Sequence, residues 1–220
     1  MEKIYVIGIT PFAQMLRFYI EDAGVDCFGG YVVDEKYMPE NGKIGGIEVI
    51  SWETFTSTVS PDSCKILSSV TYNGMNKVRE IMYHRIKNAG YTMANFIHPS
   101  AVVARNCDMG EGNIFLENVT VQPFTKIGNN NVFWSNVNIC HHTVIGNFNF
   151  VAASCVILGK TVIKDRCFLG CNSTIKNRTV VKSDTLVGAA AYSSQDTEKE
   201  SVIVPPYSVL LNKKPSDIRL

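Results

Sequence analysis

From Ile97 to Tyr192 the chain keeps a six-residue period without a slip, and few folds tolerate that period. Bulky apolar residues open the units, from Ile97, Val103, Met109 and Phe115 through Ile139, Ile145, Val151 and Ile157 to Ile175, Val181 and Val187. The fifth position of the later units is small, as at Thr143, Asn149, Cys155, Thr161, Cys167, Ser173, Thr179 and Thr185. An α-helix requires apolar spacing near 3.6 and a half-buried strand requires two. Six suits a short strand followed by a tight turn, with one large side chain sent inward. Three units then close a triangular coil, and successive coils stack about 4.8 Å apart through parallel β hydrogen bonds. A sandwich of irregular strands is the alternative, and it has no reason to hold a strict period over this length. The pattern predicts an all-β parallel β-helix of hexapeptide repeats over residues 93–220, read as one cooperative object.

Upstream the period vanishes. Residues 1–92 alternate strand, glycine turn and helix, which predicts a small parallel sheet with helices on its faces, a Rossmann-like α/β domain. Ile4 to Ile7 reads as the first strand. A helix begins near Pro11, with Thr10 as its N-cap. A second strand, about 26–33, ends at Asp34-Glu35-Lys36. Ile47–Ile50 and Cys64–Val70 read as further strands, Ser51 as the cap of a short helix, and Met75–Asn88 as a longer one. Such sheets bind ligands at the carboxyl ends of their strands. Gly8, Thr10 and Pro11 therefore mark a helix N-terminus suited to phosphate, and Asp34 with Glu35 marks a place to meet a ribose or base. The turn is not G-x-G-x-x-G, so a nicotinamide dinucleotide is not expected.

Composition narrows the classes. The net charge of +1 gives no electrostatic footprint for nucleic acid or an anionic membrane. No apolar run approaches the roughly 18 residues of a membrane span. The start, MEKIYVIGIT, lacks signal-peptide architecture. The seven cysteines show no C-x-x-C pair, so reduced thiols and a cytoplasmic location are the expectation.

Five stretches carry a resemblance: VIGITPFAQ, YVVDEK, TYNGMNKVR, the junction NAGYTMANFIHPSAVV, and ICHHTVIG. Together they resemble the NeuD/PglD-like sugar acyltransferases, which include nucleotide-sugar N-acetyltransferases of bacterial surface-glycan (lipopolysaccharide or O-antigen) synthesis. The likeness covers nearly the whole chain. It implies a left-handed β-helix, although parallel crossovers are normally right-handed. It also implies a homotrimer, acetyl-CoA in the groove between neighbouring helices, and a nucleotide-linked amino sugar of the 4-amino-4,6-dideoxy type held by the N-terminal domain. The family's general base maps onto His141, followed here by His142. Gly159, Gly188 and Ala189 fall where the family contacts the thiol-bearing arm, and Phe150 and Trp134 are candidates to line the groove. The family's Gly-x-Pro-Ala-Lys ending is replaced by Pro205-Pro206-Tyr207 and Asn212-Lys213-Lys214-Pro215, so no C-terminal contact carries over.

The residues themselves fit this chemistry. Acyl transfer to an amine requires a base, an oxyanion donor and a held CoA arm. Histidine titrates near the working pH. His141 is the third residue of its unit, at a coil corner, where its side chain can leave the wall. Cys140 beside it raises a covalent scheme, but neighbours on an extended chain point apart. Three other readings stay open at this stage. The acceptor could be a sugar hydroxyl. A γ-class carbonic anhydrase would need three histidines around a metal, and no metal is expected with only His141 and His142 together. A non-catalytic scaffold would lack a groove histidine. Phe124 and Phe148 are expected on walls that other copies cover.

Overall fold

A computed structural model describes residues 3–24 and 27–208. The predicted start of the second strand at Asp26 and the altered ending at Asn212–Pro215 lie outside the described residues. The N-terminal unit is a six-stranded sheet of order β3-β4-β2-β1-β5-β6, comprising β1 (Lys3–Ile7), β2 (Cys27–Val33), β3 (Lys43–Ile44), β4 (Ile47–Ser51), β5 (Lys65–Ser68) and β6 (Thr92–Met93). All pairs are parallel except the β3–β4 hairpin. Helix α1 (Pro11–Ala23) starts as the sequence predicts: Pro11 opens it and the Thr10 hydroxyl accepts from Ala13 N at 3.3 Å. Ser51 caps α2 (Trp52–Thr58) through Thr54 N. Helix α3 (Lys77–Asn88) begins two residues later than expected, because Met75 and Asn76 hold left-handed backbone at φ 52° and 63°. The architecture changes at Ala94–Asn95, just past β6.

Beyond Phe96 the chain winds as a parallel β-helix with three walls of seven, six and five two-residue strands. The first wall includes Phe96–Ile97, Val132–Phe133, Phe150–Val151 and Phe168–Leu169. The second includes Val102–Val103, Thr120–Val121, Asn138–Ile139, Val156–Ile157 and Tyr192–Ser193. The third includes Lys126–Ile127, Val144–Ile145 and Val162–Ile163. Pairing is parallel, with Asn138 facing Val156 and Ile139 facing Ile157. The predicted first positions from Phe115 to Val187 stack in one core. Ile97 departs from this pattern: at the open lower end no coil covers it, and it is 38% exposed.

The corners explain why small residues recur. The fourth residue of nearly every unit sits in the left-handed region, among them Asn118, Phe124, Asn130, His142, Lys160 and Arg166. That backbone is costly for non-glycine residues. It is held here because the corner amide donates to the coil below, as Asn136 N does to Glu117 O at 2.8 Å and Lys160 N to His141 O at 3.0 Å. Inside one corner, Asn113, Asn131 and Asn149 form a buried amide ladder, with side-chain bonds of 2.9 and 3.0 Å.

The N-terminal unit packs on the first wall and its two flanking vertices. Phe12 stacks on Trp134 at 5.5 Å, and Tyr72 meets Phe150 and Phe168 edge-on. Helix α3 runs along the vertex between the third and first walls, where Glu80 pairs with Arg166 at 3.1 Å and Lys87 with Glu111 at 2.8 Å. Phe148 is therefore not a wall residue awaiting another copy: Tyr83 and His84 cover it within the chain. Phe124 remains 60% exposed.

Two outcomes test the closed core and the buried carboxylate at the corner. Ile157→Asp places a carboxylate in the closed core, where an unpaired charge costs several kcal/mol; the variant should lose its β circular-dichroism signal or its cooperative melt. The Arg166 guanidinium beside Asp184 holds that buried carboxyl below the usual carboxylate range. Such a depressed group stabilises fully above its unfolded value of about 3.9, and the contribution is lost as pH falls through the folded value. Thermal melts on acidification should therefore fall more steeply in the wild type than in Asp184→Asn.

Candidate active site

Two places collect the residues singled out by the sequence. The first is a cavity of about 590 Å³ at the carboxyl ends of β1, β2 and β5. Gly8, Thr10 and Asp34 line it, while Pro11 and Glu35 stand just outside its lining. Gly8 has φ 104°, and a Cβ there would lie 2.4 Å from the Ser69 hydroxyl oxygen, so the turn closes only around glycine. Ser69 Oγ donates to Ile7 O at 2.7 Å and locks β5 to the same turn. The Thr10 hydroxyl is engaged by its cap.

Asp34 is not a free carboxylate. It pairs with Arg85 of α3, whose guanidinium lies 4.5 Å over the Trp52 ring centroid. Lys36, Trp52, Ser69 and Arg85 all line the cavity, and the sequence reading missed all four. Nothing local signals them. Arg85 reaches Asp34 from fifty-one positions away only because α3 packs behind β5.

The second place is the vertex between the second and third walls. His141 occupies the third position of its unit and His142 the left-handed fourth, with φ 59°. Both side chains are exposed. Their Nδ1 atoms lie 3.0 Å apart, with the rings perpendicular. Two nitrogens at that distance require one proton between them. When His141 Nδ1 donates to His142, the His141 Nε2 lone pair is left outward. The ring is placed by its backbone: His141 N–H donates to Gln122 Oε1 at 3.0 Å, and His142 N–H to Pro123 O at 3.2 Å. Phe124 packs on the His142 ring at 4.8 Å.

One coil up from His141 stands Gly159. A Cβ there would lie 2.9 Å from His141 Cε1 and 3.0 Å from Nε2. The imidazole rests where residue 159 has no side chain. Among the described residues the Gly159 N–H has no acceptor. An imidazole edge and an unused backbone donor therefore sit side by side at an open vertex, and the ring accepts a proton there in the tautomer with Nδ1–H held by His142. Burial pushes the neighbouring Cys140 thiol above its ordinary value, which keeps it protonated.

The other proposed cofactor residues are scattered. Gly188 and Ala189 sit at the vertex between the first and second walls, so the second wall separates them from His141. The Gly188 amide already donates to Ile203 O at 2.7 Å, while Ala189 is exposed. Trp134 and Phe150 do not line a groove near His141. They lie on the first wall beneath the N-terminal unit, where Phe150 stacks on Phe168 at 5.6 Å and is 4% exposed. Their apolar rings are the docking surface for α1 and Tyr72.

No protein-family model and no curated protein matches the chain. Solved structures do. The acetyltransferase domain of PglB from Neisseria gonorrhoeae is 20% identical, with a TM-score of 0.81 over 94% of this chain and 100% of that one. The same domain is known with acetyl coenzyme A, matching 93% and 99% at the same TM-score and identity. PerB from Caulobacter crescentus, solved with CoA and GDP-perosamine, is 19% identical with a TM-score of 0.79 over 92% and 93%. WeeI from Acinetobacter baumannii is 17% identical with a TM-score of 0.80 over 93% and 97%. This chain shares their fold. The two-part architecture matched over nearly the whole length agrees with the resemblance read from the five sequence stretches.

The seat of the imidazole is directly testable. Gly159→Ala should drive the His141 ring off its position. Its side-chain signals in an imidazole nitrogen–proton correlation spectrum should move while the melting temperature stays close to that of the wild type. Unmoved signals would contradict the contact.

Proposed function

We propose that the chain is an acetyl-CoA-dependent N-acetyltransferase acting on the amino group of a nucleotide-linked amino sugar. The observation that carries this reading is the pairing at the vertex: an outward His141 Nε2 beside the unused Gly159 N–H. The cavity at the strand ends supplies the second requirement, a place for the nucleotide. The solved neighbours add that PerB holds CoA together with GDP-perosamine, a nucleotide-linked sugar.

The steps follow from these groups. The sugar amine attacks the thioester carbon, and the carbonyl oxygen gains charge that the Gly159 N–H receives. His141 Nε2 takes the amine proton, with its Nδ1–H held by His142 Nδ1. Collapse of the adduct breaks the C–S bond, and the imidazolium returns the proton to the departing CoA sulfur. No covalent enzyme intermediate is needed, which agrees with a protonated Cys140. The CoA arm lies along the second wall, the face that joins the vertex of His141 to that of Ala189.

Within one chain the unit that holds the cavity packs on the first wall, and His141 stands at the vertex opposite that wall. The imidazole and the cavity that face a common substrate therefore belong to different copies. A homotrimer provides this arrangement and covers Phe124 and Val144, which are 60% and 41% exposed beside the vertex. The sugar is of the 4-amino-4,6-dideoxy type, the product belongs to bacterial surface-glycan synthesis, and the enzyme works in the cytoplasm. O-acetylation of a sugar hydroxyl would use the same base and donor, so the acceptor panel decides between them.

Incubation with acetyl-CoA and a panel of amino and hydroxy nucleotide sugars, following free thiol, tests the reading. Release is expected with an amino acceptor. His141→Ala should lower kcat by about 10²–10⁴-fold with the fold intact, and Cys140→Ala should keep turnover. Thiol release with hydroxyl acceptors alone would move the assignment to O-acetylation, and release with none would leave a binding scaffold.

A further inference from the structure

Among the described residues, Arg79 of α3 is a fully buried arginine without a carboxylate partner. It lies at the seam between the two units. Its Nη1 donates to Asn130 Oδ1 at 3.3 Å and its Nη2 to the Val70 carbonyl, while Nε has no partner. Asn130 Nδ2 returns a bond to Arg79 O at 3.3 Å. Among the described residues no carboxylate pairs with the guanidinium. Burial pulls its ionisation down to about 9, still above neutral pH, so it remains a cation. A buried cation without a counter-ion is costly, and chains keep one where something compensates it.

The surroundings indicate what compensates it. Val70, which accepts from Arg79, lines the cavity together with Ser69, Thr71 and Asn73. Ser69 in turn abuts Gly8, in the turn that leads from β1 into α1. The guanidinium thus lies directly behind the cavity segment that faces the helix N-terminus. Asn76 fastens the far end of that segment, its Nδ2 donating to Cys167 O at 3.0 Å.

We propose that Arg79 is a positioning residue for an anionic ligand of the cavity, a nucleoside diphosphate group. It fixes the wall from Ser69 to Asn73 through the Val70 carbonyl, and its charge is balanced when the diphosphate is bound. The inference rests on reading the cavity as the nucleotide site. Arg79 touches no substrate atom; it acts through the wall and through its field, which low-dielectric surroundings screen weakly.

Two variants of the full chain test it without relying on turnover. Arg79→Gln keeps a donor for Val70 O and removes the charge. Asn130→Asp keeps Arg79 and supplies a carboxylate against it; the new ion pair offsets the lost Nδ2 bond to Arg79 O, and a cooperative melt confirms that the variant is folded. Binding of UDP, GDP and dTDP is measured by calorimetry beside uridine, guanosine and thymidine. In both variants the diphosphate that binds the wild type should weaken by about ten-fold or more, while its nucleoside changes by less than about three-fold. Equal loss for diphosphate and nucleoside means a purely structural residue and overturns the inference. An unchanged diphosphate affinity in Asn130→Asp overturns it as well, even where Arg79→Gln fails to fold. Absence of any diphosphate binding to the wild type overturns the nucleotide reading of the cavity together with this inference. Binding with no discrimination by the variants overturns the inference alone.

Discussion

The whole molecule depends on one geometric demand: after three short strands the backbone must return above its starting point, one strand spacing higher. Parallel pairing between residues eighteen apart meets that demand, as Asn138 with Val156 and then Thr174 shows. The closure leaves room inside for one large side chain per wall and one small one per corner. It also forces the fourth residue of the unit into the left-handed region, where the amide finds the carbonyl of the coil beneath. Core, corner and hydrogen-bond ladder are one solution, and removing any part removes the others.

That solution also explains why the catalytic candidates stand where they do. At a corner a polar side chain leaves the coil without breaking the interior stack and meets the turn of the next coil rather than a flat wall. His141 and His142 occupy a corner, and the coil above contributes Gly159, which has no side chain to obstruct the ring. The site is therefore made by stacking, not by a loop. The N-terminal unit contributes a cavity of a different kind, made where three strands end and α3 lies behind them. Its docking through Trp134, Phe150 and Phe168 fixes which side of the prism it serves.

Much of this was legible in the sequence, and the limits have physical causes. The β-helix announced itself because its period is strict and long. The caps Thr10 and Ser51 were legible because capping is a local interaction. The histidine pair was legible because a repeat assigns every residue a corner or a wall. Trp134 and Phe150 were misread because the same position on a wall is solvent-facing or covered according to what packs upon it, and the repeat carries no record of that. Arg85 and Arg79 were invisible for a related reason. Each matters through a partner on another element, Asp34 for one and Val70 and Asn130 for the other, and no spacing rule links them. Gly159 was singled out in the sequence as a cofactor contact, and its lack of a side chain, which makes room for the His141 imidazole, was not foreseen.

Stacking in registered columns also limits how a chain of this kind can change its length. Losing a single six-residue unit below His141 would leave the apolar rhythm undisturbed, and the solenoid would still close. Yet the histidine pair would then emerge at a different edge of the prism, turned by a third of a revolution from its former neighbours. Only deletions or duplications of a full circuit preserve both the packing and the direction in which the imidazole points. Relatives with this chemistry should accordingly differ in the height of their towers by whole storeys.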